Sequence, residues 1–247
     1  MINELYITGA GVSAGSGIPT FRGSDGFWTI GSINYTPQEM ATRKMYEDNP
    51  IQFLLWYYKR FATYKDSKPN TVHKWLSDKK LITQNIDSLD SKAGNVDYIP
   101  IHGRLDKLVI YDDEMKFQET IDANWEDIED KVDDEELSRH LLDKFKISTF
   151  NGISKPKLGF SFKPFVLLFD EMYTEVYRFS EAESWMHSAE KIVFMGTSFS
   201  VNITSIALRI AIQRNIPIEI VDPDPIKLDY NKIKYYSMSA EEYCQKN

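Results

Sequence analysis

The chain has 247 residues, 42% of them hydrophobic, and a formal net charge of -8. That is enough to bury one large core with a smaller insertion, and the acidic balance removes any electrostatic reason to bind nucleic acid, whose phosphates demand a basic face. The single cysteine, Cys244, excludes an internal disulfide framework and a zinc site of four thiolates. No apolar run reaches the length of a membrane span. MINELYITGAG enters a strand-like segment with no basic, apolar leader before it. The expectation is a cytoplasmic protein without membrane contact; nothing in the composition specifies an oligomer.

Residues 4–8 (ELYIT) predict a short buried strand running into Gly9, with helical spacing resuming around Ser13. The Gly- and Ser-rich stretch 23–34 predicts a loop. Residues 50–64 (PIQFLLWYYKRFATY) have apolar residues at helical spacing, with Pro50 acceptable in the first turn. A short helix through His73 and Trp75 follows, then short strands at Leu81 to Thr83 and Tyr98 to Ile101. Residues 112–150 are densely acidic, helical or partly mobile, and 104–163 reads as an inserted module. FVLLF, from Phe165 to Phe169, is a continuous apolar run of the kind found in strands buried on both faces. A helix over 173–187, a strand Lys191–Met195, a turn, a helix over 203–214 and a strand Ile218–Val221 complete the pattern. Strands alternating with helices define an α/β fold. The expected architecture is a Rossmann-like parallel sheet with helices on both faces, built from 1–103 and 164–247, with a small zinc-free module at 104–163.

Gly9-Ala10-Gly11-Val12-Ser13-Ala14 fits G-x-G-x-x-A between a strand and a helix. Gly9 permits the tight turn, Gly11 lets the backbone approach a pyrophosphate, Ala14 permits close helix-to-strand packing, and the helix N-terminus favours negative charge. Taken alone, such a turn also serves purely structural ends. The acidic residue that ordinary dinucleotide folds place about 20 residues further on is missing; Phe27, Trp28 and Thr29 stand there. A hydride-transfer dehydrogenase is therefore disfavoured. The loop continues through Gly17-Ile18-Pro19-Thr20-Phe21-Arg22-Gly23, which can fold over a ligand. Ile18, Phe21 and Arg22 are candidate contacts there, Phe21 as a flat apolar face and Arg22 as a donor fork. The alternative is an ordinary core Phe21 and an ion-paired Arg22.

GAGVSAGSGIPTFRG, then TQNIDSLDSKAG at 83–94, then IHG at 101–103, resembles the sirtuin family in order and spacing. Val166-Leu167-Leu168-Phe169-Asp170-Glu171 is similar to the family's VVxFGE strand, and Gly196-Thr197-Ser198 to its GTS turn. The resemblance implies an NAD-dependent protein-lysine deacylase giving nicotinamide and an O-acyl-ADP-ribose. It implies His102 as general base, Asn85 beside the reacting ribose carbon, Gln84 on the nicotinamide-side ribose, and Asp87 with the Ile86 backbone holding the carboxamide. It also implies Val166 and Phe169 on the substrate side. The chemistry is consistent with these residue types: histidine has the pKa range of a base near pH 7, and ligand-facing side chains collect after strands of open α/β sheets. In the Gly196-Thr197-Ser198 turn, the hydroxyls of Thr197 and Ser198 are candidates to bond ribose or phosphate. Asp222 replaces the family's asparagine; it can accept from ribose hydroxyls or simply shape a turn with Pro223. Asp90 stands where the family carries a histidine.

Tyr57 and Arg60 lie three apart on one helix face and match the Tyr-x-x-Arg pair of sirtuins that prefer succinyl, malonyl or glutaryl groups. An Arg fork and a phenol hydroxyl can bind a terminal carboxylate; the alternative is an Arg60 that is solvated or paired with the acidic insert. The family's two CxxC pairs are absent, with Ile110 and Asp113 near the first and Lys155-Pro156-Lys157-Leu158 near the second. The module is expected to fold without zinc on Trp125, Ile128, Leu137, Leu141 and Phe145. The expected partners are acyl-lysine proteins or peptides. An NAD glycohydrolase or ADP-ribosyltransferase is the alternative, suggested by the missing cysteines and by Asp170 in place of glycine. A nucleotide sensor without turnover is a third reading, disfavoured because a pure binder needs no general base.

Overall fold

The computed structural model describes residues 1–20, 35–113, 119–128 and 132–247. Among these the strands are β1 (Ile2–Thr8), β2 (Lys80–Thr83), β3 (Tyr98–Pro100), β4 (Gly103–Ile110), β5 (Ile121–Asp122), β6 (Ser148–Phe150), β7 (Ile153–Lys155), β8 (Phe162–Val166), β9 (Ala189–Met195), β10 (Ile218–Asp222) and β11 (Ile233–Ser237). The α-helices are α1 (Pro37–Met40), α2 (Arg43–Asp48), α3 (Pro50–Arg60), α4 (Thr71–Trp75), α5 (Leu89–Lys92), α6 (Asp134–Lys144), α7 (Phe179–Ser188), α8 (Asn202–Gln213) and α9 (Ala240–Lys246). The chain divides into two compact units. The first takes Met1–Thr20, Ser67–His102 and Arg178–Asn247; the second takes the described parts of Phe21–Asp66 and Gly103–Tyr177.

The first unit is a parallel sheet in the order β3-β2-β1-β9-β10-β11. Alternate side chains of a strand point to opposite faces, and both faces here are covered. Tyr6, Leu81, Val193 and Val221 pack with Val72, Leu76 and Tyr243, from the α4 and α9 side. Trp75 meets the ring of Tyr6 edge-on at 5.4 Å. Leu5, Ile7, Ile192 and Phe194 are fully buried on the other face, where α7 packs on β1 and β9 and α8 on β9. Burial on both sides explains the near-continuous apolar runs of β1 and β9. The strands after β1 run outward first on one side and then, from β9, on the other. The reversal falls between β1 and β9, the point where open α/β sheets bind ligands beyond the carboxyl ends of their strands.

One local expectation changes at the first turn. Ala10–Ser16 forms a 3₁₀ helix, closed by Gly17 in the left-handed region at φ 78°, where an α-helix was expected. Ala14 is exposed and Val12, 1% exposed, makes the packing contact in its place.

The second unit holds an antiparallel sheet, β5-β4-β8, and the β6–β7 hairpin. FVLLF does not join the main sheet. Its strand ends at Val166 and pairs antiparallel with β4, while Phe169 is 55% exposed. The run is apolar because Phe165 packs with Val109 and stacks on Tyr177 at 5.4 Å, a cluster local to this unit. Gly103 makes the pairing possible: its φ is +85°, and a Cβ there would stand 1.9 Å from the Phe165 carbonyl oxygen.

The expected module boundary is also too narrow. Residues up to Asp66, with α3, group with the 103–177 segment rather than with the main sheet. Asn49 caps α3 through the Gln52 N–H, and Pro50 opens it. The helix stops at Arg60, and Ala62–Tyr64 continues as 3₁₀. In the acidic insert, Asp133 caps α6, whose first turn carries Asp134, Glu135 and Glu136; negative charge there complements the helix dipole. Trp125, Ile128, Leu137, Leu141 and Phe145 are all buried. The Trp125 ring lies 5.7–6.1 Å from those of Tyr58, Tyr57 and Phe145, and its indole N–H donates to the Leu105 carbonyl at 2.7 Å.

Candidate active site

Two loops meet at the sheet's reversal point. The Gly9 N–H donates to the Met195 carbonyl at 3.2 Å and the Gly11 N–H to the Gly196 carbonyl at 2.9 Å. A Cβ at Gly9 would stand 2.8 Å from the Gly196 oxygen, and one at Gly11 2.7 Å from the Gly196 Cα. Glycine at these positions is thus required by loop-on-loop packing as well as by any ligand. Gly11 remains exposed, Ala10 is half-buried and Ile18 is buried. Phe21 and Arg22 lie outside the described residues.

Beyond β2 a polar network forms around Ser13. Its hydroxyl donates to Asp87 Oδ2 at 2.6 Å and accepts from Asn85 Nδ2 at 3.0 Å. Asn85 Nδ2 also donates to the Gly9 carbonyl at 3.1 Å, and Asp87 Oδ1 accepts from the Leu89 N–H at 2.9 Å. His73 Nε2 lies 3.4 Å from the Ser13 hydroxyl; burial holds this histidine below its ordinary range, with Asp87 pulling the other way. Asn70 caps α4 and donates to the Val12 carbonyl at 2.8 Å. The catalytic candidates Asn85 and Asp87 are therefore both buried and both oriented. The sequence reading missed Ser13 and His73 as members of this network. Their signal was present, a hydroxyl inside the glycine loop and a histidine three residues after a helix-capping asparagine, but only folding joins them.

His102, half-buried, places Nδ1 2.9 Å from the Gln84 carbonyl oxygen. A carbonyl only accepts, so Nδ1 carries the hydrogen and Nε2 the lone pair. Burial lowers its pKa to about 4, against the opposing Gln84 hydrogen bond. That corrects the expected value near 7: His102 is neutral across the physiological range. The Gln84 amide and the Thr197 hydroxyl pair at 3.1–3.3 Å, tying the GTS turn to the end of β2. Ile86 is half-buried and Ser198 exposed. Asp222 accepts from the Asp224 N–H at 3.0 Å, the turn geometry weighed above, and burial raises its pKa.

In the second unit Val166 is buried and Phe169 exposed. Asp170 has an internal role: its carboxylate accepts from the Arg43 N–H at 2.6 Å and the Lys44 N–H at 3.0 Å, capping the start of α2. Tyr57 is 1% exposed, and its hydroxyl is buried with no hydrogen-bond partner. Arg60 is half-buried, and burial lowers its pKa. Among the described residues the acidic insert does not pair with it; Lys59 pairs there instead, with Asp134 at 2.6 Å.

The Sir2 family model matches residues 9–203, and the chain belongs to that family. A protein of Caldanaerobacter subterraneus subsp. tengcongensis, "NAD-dependent protein deacylase 1", is 28% identical over 250 residues, covering 98% of this chain and 91% of that one. "NAD-dependent deacetylase sir2E" of Dictyostelium discoideum is 31% identical over 218 residues, covering 81% of this chain and 60% of that one. A solved Sir2 homolog–NAD complex superposes with a TM-score of 0.73 at 26% identity, covering 99% of this chain and 87% of that one.

Proposed function

We propose that the protein removes acyl groups from lysine side chains of proteins or peptides at the expense of NAD, releasing nicotinamide and an O-acyl-ADP-ribose, and that succinyl and malonyl groups are its preferred substrates. The donor set fits a dinucleotide: an exposed Gly11, the Thr197 and Ser198 hydroxyls and the polar Gln84–Asp87 segment follow β1, β2 and β9, the strands that flank the reversal point. Bound NAD supplies a ribose carbon that loses nicotinamide. Asn85 and Asp87, fixed through Ser13, hold their side chains where that carbon and the carboxamide would be bound. His102, with Nδ1–H given to Gln84, presents a neutral Nε2 to take a proton from a ribose hydroxyl.

The acyl preference rests on one observation above all. The Tyr57 hydroxyl is buried without a partner, and no hydrogen bond or ion pair engages the half-buried Arg60 among the described residues. A buried unpaired donor costs about 1–3 kcal/mol, a cost that a ligand carboxylate would remove from both groups.

Incubation with NAD and acetyl-, succinyl- or malonyl-lysine peptides, following nicotinamide and free lysine together, tests both parts. Succinyl and malonyl peptides are expected to turn over faster than acetyl. Nicotinamide release indifferent to peptide would replace the deacylase reading with an NAD glycohydrolase.

A further inference from the structure

Thr83 ends β2, and both lone pairs of its hydroxyl are engaged. It accepts from the Thr8 hydroxyl at 2.9 Å and from the Asn85 N–H at 3.2 Å. Its own hydrogen is left for a third group, and the Asp90 carboxyl is the neighbour placed to accept it. Asp90 lies on α5, 2% exposed. Its Oδ1 is buried with no partner. No cation faces it. The loop before α5 brings Asp87, an acidic neighbour. His73, on α4, is held toward its neutral form by burial and faces Asp87. Thr8 and Thr83, from the sheet, are uncharged. Lys92, on α5 itself, reaches the Ser67 carbonyl at 3.3 Å.

We propose that Asp90 is a positioning residue for the Asn85 end of the NAD site, acting through the Thr83 hydroxyl, and that it does so as a neutral carboxylic acid. The inference rests on the assignment of Asn85 and Asp87 to NAD. A neutral acid accepts the Thr83 hydrogen through its carbonyl oxygen and keeps its proton on the other, requiring no counter-charge. Ionised, it becomes a second buried carboxylate beside Asp87, and two such charges repel. The repulsion acts on Asp87 directly and on Asn85 through Thr83. Burial first, and then Asp87, raise the Asp90 pKa to about 7, against the Thr83 hydrogen bond. The change of state thus falls inside the working pH range, where His102, with its pKa of about 4, does not titrate.

The test compares wild type, Asp90→Asn and Asp90→Ala from pH 6 to pH 9, reading kcat/KM for NAD with a saturating acyl peptide and, without turnover, NAD affinity by calorimetry. Wild type is expected to lose at least about tenfold in kcat/KM between pH 7 and pH 9, the behaviour of one essential protonated group. Asp90→Asn, always neutral and able to accept from Thr83, keeps most of the pH 6 value and loses the alkaline limb. Asp90→Ala, with no acceptor, is low throughout. An alkaline limb identical in wild type and Asp90→Asn, or a flat wild-type profile, overturns the proposal. If wild type releases no nicotinamide at any pH, the enzymatic reading fails instead, and the NAD affinity profile alone decides Asp90: a flat profile rejects it, and an alkaline loss absent from Asp90→Asn supports it.

Discussion

The Gln84 carbonyl oxygen lies 2.9 Å from Nδ1 of His102, and this contact fixes which ring nitrogen carries the lone pair of a base. Burial lowers the His102 pKa to about 4, so the base form is already present at neutral pH. Protonation should remove activity only on the acid side: kcat/KM is expected to fall as pH drops below about 5, through about 4. His102→Ala should cut deacylation by about 10²-fold or more while leaving NAD affinity within a few fold. A variant with ordinary turnover would remove His102 from its role.

Tyr57→Phe separates stability from specificity. The hydroxyl has no partner, so its removal should leave thermal stability unchanged or raise it by about 1 kcal/mol. The same change, and Arg60→Met more strongly, should lower succinyl-lysine turnover about tenfold or more with little effect on acetyl-lysine. Equal losses on both substrates would make the pair structural.

Gly103→Ala should prevent folding or cost more than about 4 kcal/mol. The new Cβ would meet the Phe165 carbonyl oxygen at 1.9 Å, at a φ of +85° that disfavours side chains. Soluble protein with an unchanged melting curve would contradict the β4–β8 pairing.

Asp90 also predicts a pH-dependent stability. Its folded pKa of about 7 stands above the ordinary aspartate value of 3.8, so the folded state holds a proton that the unfolded state releases. That contribution is fully present below about pH 4 and is lost as pH rises through about 7. Asp90→Asn should therefore be more stable than wild type at pH 8, by up to about 4 kcal/mol, with the gap closing toward pH 5. Chemical denaturation at the two pH values reads the difference, and a gap independent of pH would mean that Asp90 is not neutral in the folded state.

Much of the first unit was legible because its strands are buried on both faces and carry their own apolar signature. β1, β2, β9 and β10 fell within two residues of expectation at each end. β11 did not stand out, since its residues are half-buried or exposed and lack that signature. FVLLF misled for the opposite reason: its burial comes from Val109 and Tyr177, which no local pattern reveals. At the site, the motif residues stand out one by one in the sequence, but the network of Ser13, Asn85 and Asp87 joins them by side-chain hydrogen bonds. Spacing along a chain does not encode those. Asp170 shows the same limit: it reads as a lost glycine in sequence and accepts from the first two N–H groups of α2 in the fold.

In the proposed function, NAD cleavage is coupled to lysine deacylation. The most direct measurement is the ratio of nicotinamide released to lysine freed, with a succinyl-lysine peptide under single-turnover conditions. A ratio of about one is expected, with negligible nicotinamide in the absence of peptide. Rapid nicotinamide release with no freed lysine would contradict it.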